Sequence, residues 1–231
     1  MSLKAPTGFV RGLLALSMMV AGLAFAGCGD DEDSGGATAG AGTQSGLGAE
    51  RFKALETVYA AQVPIDKIDE DAPLSAMDGV LKDYVEKCNE VDGDDALLAA
   101  YRRFCPLVAE LRESLAAAGG CEGDDVQQCI DGVSTFRGVV RKYLSEGARY
   151  DAVVKREELT PACEKALVNP ELSYEVMRDY SRAFAHLERA LTGASEADLT
   201  KAETIMKRAE SRAEGLPDAT QALKDFRSGC D

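Results

Sequence analysis

The chain reads as all-α, an up-and-down antiparallel bundle of about six or seven helices stapled by disulfides. Three observations predict it. Apolar residues recur at three- and four-residue intervals through most of positions 50–231. No stretch keeps the alternation of a strand, and glycine, proline and capping residues fall between the periodic runs.

The elements follow in order. Phe52, Leu55, Tyr59 and Val63 mark a helix over 50–63, and Met77, Leu81, Tyr84 and Cys88 one over 74–89. Leu97, Tyr101, Phe104, Val108, Leu111 and Leu115 mark 94–118, opened by Gly93 or Asp94 and closed by Gly119-Gly120. Pro106 must kink or split that helix, because it lacks an N–H and crowds the preceding turn. Val126, Ile130, Val133, Phe136, Val140 and Leu144 mark 124–157, with Asp124 as N-cap and Gly147 as a point of interruption. Tyr174, Met177, Phe184, Leu187 and Leu191 mark 171–192; alanine-rich helices follow over 196–213, capped by Ser195, and 217–227. Short connections make neighbours antiparallel. The echo of DGDDALL (92–98) in EGDDVQQ (122–128) reads as two helix starts, acid meeting the positive end of the dipole. The alternating ligand spacing of a calcium loop is absent from both.

Ahead of this domain the composition changes twice. Residues 1–27 hold no acid; Lys4 and Arg11 precede GLLALSMMVAGLAFAG (12–27), which as a helix rises only ~24 Å against a hydrocarbon core of ~30 Å. That is a signal-peptide h-region, cleaved in the mature protein. Ala24-Phe25-Ala26 satisfies the small-x-small rule for release of a soluble, secreted protein. Phe25, Ala26, Gly27 and Cys28 together resemble the lipobox of bacterial lipoproteins, with Phe25 where leucine is usual. The resemblance covers 28 residues and implies that Cys28 becomes a diacylated N-terminus holding the protein to a membrane. Gly29 in place of Asp after that cysteine implies the outer membrane. Residues 28–49 then form a tether of Gly, Ala, Ser, Thr and Asp that cannot bury enough apolar surface to order itself, with a reach of ~25 Å. The run Asp30-Asp31-Glu32-Asp33 reads as a charged spacer.

Cysteine arithmetic supports the lipid reading. Seven cysteines leave one unpaired; a lipidated Cys28 leaves six, an even set for an oxidising compartment. If the helix over 94–118 runs the full depth of the bundle, Cys88 and Cys105 differ in depth by ~13 Å, and Cys105 and Cys129 by a similar margin. The depth count predicts Cys88–Cys163, Cys105–Cys230 and Cys121–Cys129. No CxxC pair points to a metal.

Removing Lys4 and Arg11 takes the formal net charge from −14 to −16, the wrong sign for nucleic acid. The single histidine, His186, projects at 200° from Phe184 on its helix and reads as a solvated surface residue. No GxSxG or HExxH accompanies it. The acids between Pro64 and Pro73, Asp66 among them, read as a solvated connection, and Arg102-Arg103 and Lys207-Arg208 as exposed helix faces. The function expected is therefore a membrane-anchored envelope lipoprotein whose non-enzymatic domain binds a protein or small ligand or supports an assembly. It needs no cofactor besides the acyl groups on Cys28. The alternatives are a carboxylate-dependent hydrolase, or a carrier of an apolar ligand near Tyr84, Phe104 or Phe136.

Overall fold

A computed structural model of the chain describes residues 46–67, 74–93, 95–119, 126–193 and 195–231. They are helical, with no strand among them: α1 (Ala49–Asp66), α2 (Leu74–Glu90), α3 (Ala96–Phe104), α4 (Leu107–Gly119), α5 (Val126–Val154), α6 (Pro161–Leu167), α7 (Glu171–Gly193), α8 (Glu196–Ala213) and α9 (Ala219–Cys230). With α3 and α4 taken as one helix broken at Pro106, and the seven-residue α6 set aside, the bundle has the seven helices expected.

The 29-residue α5 is the central column. It packs against α3 and α4 on one side and α7 on the other, while α8 rests on α7 alone among its substantial contacts. The last helix returns to the first: α9 lies on α1 and α6, and Phe226 stacks between Phe52 and Tyr59, with ring centroids 5.0 and 4.6 Å away. The aromatic interior continues through Tyr59, Tyr101, Tyr150, Phe104 and Tyr143 to Tyr174, and all seven tyrosines of the chain are buried.

Local chemistry sets the boundaries. Asp95 caps α3, its Oδ1 accepting from the Leu97 and Leu98 amides at 2.8 and 3.0 Å, and its carboxylate also pairs with Arg51 of α1. Gly93 precedes it at φ 148°, a conformation other residues adopt only with strain. Pro106 breaks the helix as expected. Gly147, in contrast, leaves α5 uninterrupted. Its missing Cβ admits the Tyr174 ring, since a methyl there would lie 2.8 Å from the phenol oxygen and 3.0 Å from a ring carbon. The sequence reading passed over α6, although Thr160 and Pro161 are a start signal. Thr160 Oγ1 accepts from the Cys163 amide at 3.2 Å, and Pro161 occupies the first turn, where its missing N–H costs nothing.

The disulfides correct the depth count. Cys88 pairs with Cys105, at a Cα separation of 5.8 Å, and Cys163 with Cys230, at 4.5 Å. The expected pairs Cys88–Cys163 and Cys105–Cys230 are therefore not formed. The error lay in the premise that α2 and α3 lie side by side from a shared turn. Cys105, at the end of α3, lies against α2, where the Tyr84 hydroxyl donates to the Cys105 carbonyl at 3.2 Å. Cys129 is also disulfide-bonded. Cys121, its expected partner, lies outside the described residues, as do Phe25, Ala26, Gly27 and Cys28.

Candidate functional site

Charged groups gather at three places that the apolar pattern alone does not mark. The first is the seam between α7 and α8. Asp179 is 2% exposed, and its carboxylate meets Arg208 Nε and Nη2 at 3.0 and 2.6 Å, Arg212 Nη1 at 3.1 Å and Arg182 Nη1 at 3.4 Å. The two contacts to Arg208 are a bidentate fork that fixes helix register as well as attraction. Glu175 adds a contact to Arg212 at 3.4 Å. Arg208, expected on an open face, is thus half committed to a neighbouring helix.

At the other end of the same seam His186 Nδ1 lies 2.7 Å from Asp198 Oδ1 and 2.8 Å from Arg189 Nη2. His186 is half-buried against α8, which corrects its reading as a fully solvated residue. The cause is geometric: α7 has two partners, α5 and α8, so its buried arc extends round to Asp179, and His186 projects only about 20° beyond that edge. The hydrogen bond from His186, and one from Ser195, hold the Asp198 carboxyl below its usual range. Here the carboxylate stands between serine and imidazole, whereas a nucleophilic relay needs the imidazole in the middle. This arrangement caps and staples helices.

The second place is the buried end of α5. Asp151 is 7% exposed; its Oδ1 accepts from the Asn169 backbone and side-chain nitrogens at 3.1 and 2.9 Å, and its Oδ2 from the Tyr174 hydroxyl at 2.5 Å. Burial pushes the Asp151 carboxyl up from its ordinary value against these donors, and burial and the adjacent carboxylate push the Tyr174 phenol up. The network ties the turn between α6 and α7 to the central column. Tyr150 beside it is fully buried, and its hydroxyl has no hydrogen-bond partner among the described residues. Tyr150→Phe is therefore expected to leave stability unchanged or raise it by up to about 1 kcal/mol, since no bond is lost and a buried orphan is removed. Urea denaturation checks this; a loss above 1 kcal/mol would mean that the hydroxyl has a partner.

The third place corrects the acidic connection between Pro64 and Pro73. Asp66 ends α1 mostly buried, accepting from the Ala219 amide at the start of α9 at 2.6 Å and facing the buried Arg112 guanidinium at 3.9 Å. Burial pushes the Asp66 carboxyl up to about 6 and pulls Arg112 down to about 10. Each shift opposes the mutual attraction of the pair, so desolvation outweighs a contact that falls short of a hydrogen bond. The sign for stability follows. A carboxyl that holds its proton more tightly in the fold favours folding at low pH, and that contribution is lost as pH rises from about 4 through about 6. Asp151 acts in the same sense. Asp66→Asn is expected to flatten the fall in urea midpoint between pH 4 and 7; an unchanged slope would place the Asp66 titration outside that window.

Elsewhere the expected residues serve packing. Tyr84, Phe104 and Phe136 are fully buried, Phe104 against Tyr143 and Tyr150 at centroid distances of 5.1 and 5.6 Å, and Phe136 against Phe184 at 4.6 Å. Among the described residues no group of three His, Cys, Asp or Glu could hold a metal ion, and no helix is long and apolar enough to cross a membrane. No family model, curated protein or solved structure matches the chain.

Proposed function

We propose that this chain is an envelope lipoprotein of a bacterium, anchored through acyl groups on Cys28, probing its surroundings with a disulfide-stapled helical domain that binds or scaffolds. The observation that carries the reading is the state of the thiols. All five cysteines among the described residues are in disulfides, although most lie in an interior where a reduced thiol would pack equally well. Bridges of that kind persist in oxidising compartments. The lipobox-like FAGC and the signal-type segment before it supply the route there, and the acid-rich surface keeps the domain soluble beside a membrane.

The charged clusters favour binding or support over hydrolysis. A pair of catalytic carboxylates must keep oxygens free for substrate or water. Asp151 and Asp179 instead spend theirs on Asn169, Tyr174 and three arginines, and Asp66 gives Oδ2 to the Ala219 amide while its Oδ1 faces the buried Arg112.

The test is the intact mass of detergent-extracted protein before and after reduction. A polypeptide beginning at Cys28, carrying acyl chains and gaining two hydrogens per bridge on reduction, is expected. A mass beginning at Gly27 without lipid would replace this reading with free secretion.

A further inference from the structure

The two flanks of α8 carry opposite charge. Lys201, Arg208 and Arg212 share one side with Asp198, while Glu196, Glu203, Glu210 and Glu214 share the other with Lys207, as positions spaced by three and four residues must. The contacts show which side faces the matching flank of α7. Arg208 and Arg212 reach Asp179, Arg212 reaches Glu175, and Asp198 reaches His186 and Arg189. Arg182 joins the same cluster through Asp179, and Arg178 lies one turn before it, paired with Glu171. Six cations on this face thus stand against four carboxylates, one of them the buried Asp179. The arginine side chains stay between 41% and 66% exposed despite their ion pairs, so their remaining N–H groups are open to solvent.

We infer that this face of the α7–α8 hairpin docks on the anionic headgroups of the membrane that holds the protein. The inference rests on the lipid-anchored reading above. Guanidinium groups match phosphate oxygens two at a time, and a fixed row of them on one hairpin suits a plane of phosphodiesters better than a point ligand. The chain as a whole is strongly acidic, so an anionic surface repels most orientations of the tethered domain. With screening over ~8 Å, only the face nearest the bilayer is felt, and a face of net positive charge is the one retained. The opposite flank, with Glu196, Glu203, Glu210 and Glu214, is then turned away. Docking sets the orientation in which the rest of the bundle meets a partner.

The experiment is amine labelling of the full, natively processed protein, reconstituted in vesicles of phosphatidylcholine with or without about one-third phosphatidylglycerol and read by mass spectrometry. Lys201 is the reporter; Lys53, Lys82 and Lys224, exposed elsewhere, are the internal controls. On anionic vesicles Lys201 labelling is expected to slow about fivefold or more, to recover in high salt and to be unaffected on phosphatidylcholine alone. Arg178→Glu with Arg182→Glu, checked for unchanged helical content, should abolish the protection. Equal labelling of Lys201 on both vesicles overturns the inference. So does equal protection on both, because the cover would then not depend on anionic headgroups. Flotation with pure phosphatidylcholine reports the acyl anchor separately: a chain that floats but leaves Lys201 open keeps its anchor and loses this face, whereas one that does not float loses the anchored reading itself.

Discussion

Replacing Cys163 and Cys230 together by serine is expected to cost about 4 kcal/mol, more than the about 3 kcal/mol expected for Cys88 and Cys105. The ranking comes from the unfolded chain. The two bridges close loops with sequence separations of 67 and 17, and the longer loop removes more entropy from the denatured ensemble. Fold position points the same way. The bridge from Cys163 to Cys230 joins α6 to the last residue of α9, a helix of twelve residues whose other large contact is α1. Freed there, α9 keeps Phe226 against Phe52 and Tyr59 but loses its fixed end. The Cys88–Cys105 bridge instead ties α2 to the end of α3, which Tyr84 and the core already hold. For a domain this size the losses correspond to falls in Tm of roughly 8–16 °C and 6–12 °C. The pairing itself is checked first on unreduced protein. Trypsin should leave residues 157–165 joined to 228–231, and residues 88–102 joined to 104–112. Recovery of 88–102 joined to 157–165, or a smaller loss for the longer loop, would overturn this account.

How much of this was legible beforehand depends on the kind of information needed. Helices are written in local periodicity: Leu97, Tyr101, Phe104, Val108, Leu111 and Leu115 name a buried seam, and all six are buried. Ser195 names a start because its side chain bonds an amide three residues on. Pairing of cysteines is different, because it depends on how successive helices are set against one another, which no local pattern records. Cys88 and Cys105 meet although a side-by-side depth count sets them apart. The charged clusters stood in between. Arg112 sits between Leu111 and Leu115, Asp179 between Val176 and Ala183, and Asp151 three residues before Val154; each is a charge on an otherwise apolar stripe. That pattern warns of a buried ion, but its partners come from other helices and carry no local mark. His186 was misplaced for a related reason. A helical projection shows one face at a time, and α7 has two.

Asp151→Ala should destabilise the fold by about 3 kcal/mol. The substitution deletes an acceptor that serves three donors, the Asn169 amide, the Asn169 side chain and the Tyr174 hydroxyl. Each is left at a buried site, where an unmet donor costs about 1–3 kcal/mol. Part of that loss is offset, because burial already pushes the Asp151 carboxyl up and its removal relieves a desolvation cost. Gly147 limits any repair. The phenol of Tyr174 is seated against the bare α-carbon there, so the ring cannot swing towards another acceptor without leaving the space that Gly147 provides. A double-mutant cycle isolates the bond. Tyr174→Phe alone should cost about 1–2 kcal/mol, and much less once Asp151 is already alanine, giving a coupling near 1 kcal/mol. Asp151→Asn should fall between, since one oxygen remains to accept from Asn169 while its amide faces the Tyr174 hydroxyl. Chemical denaturation at pH 7 reads all four proteins. Additive losses, with no coupling, would mean that the 2.5 Å contact between Tyr174 and Asp151 contributes nothing beyond packing, and that the turn from α6 into α7 is held by Asn169 alone.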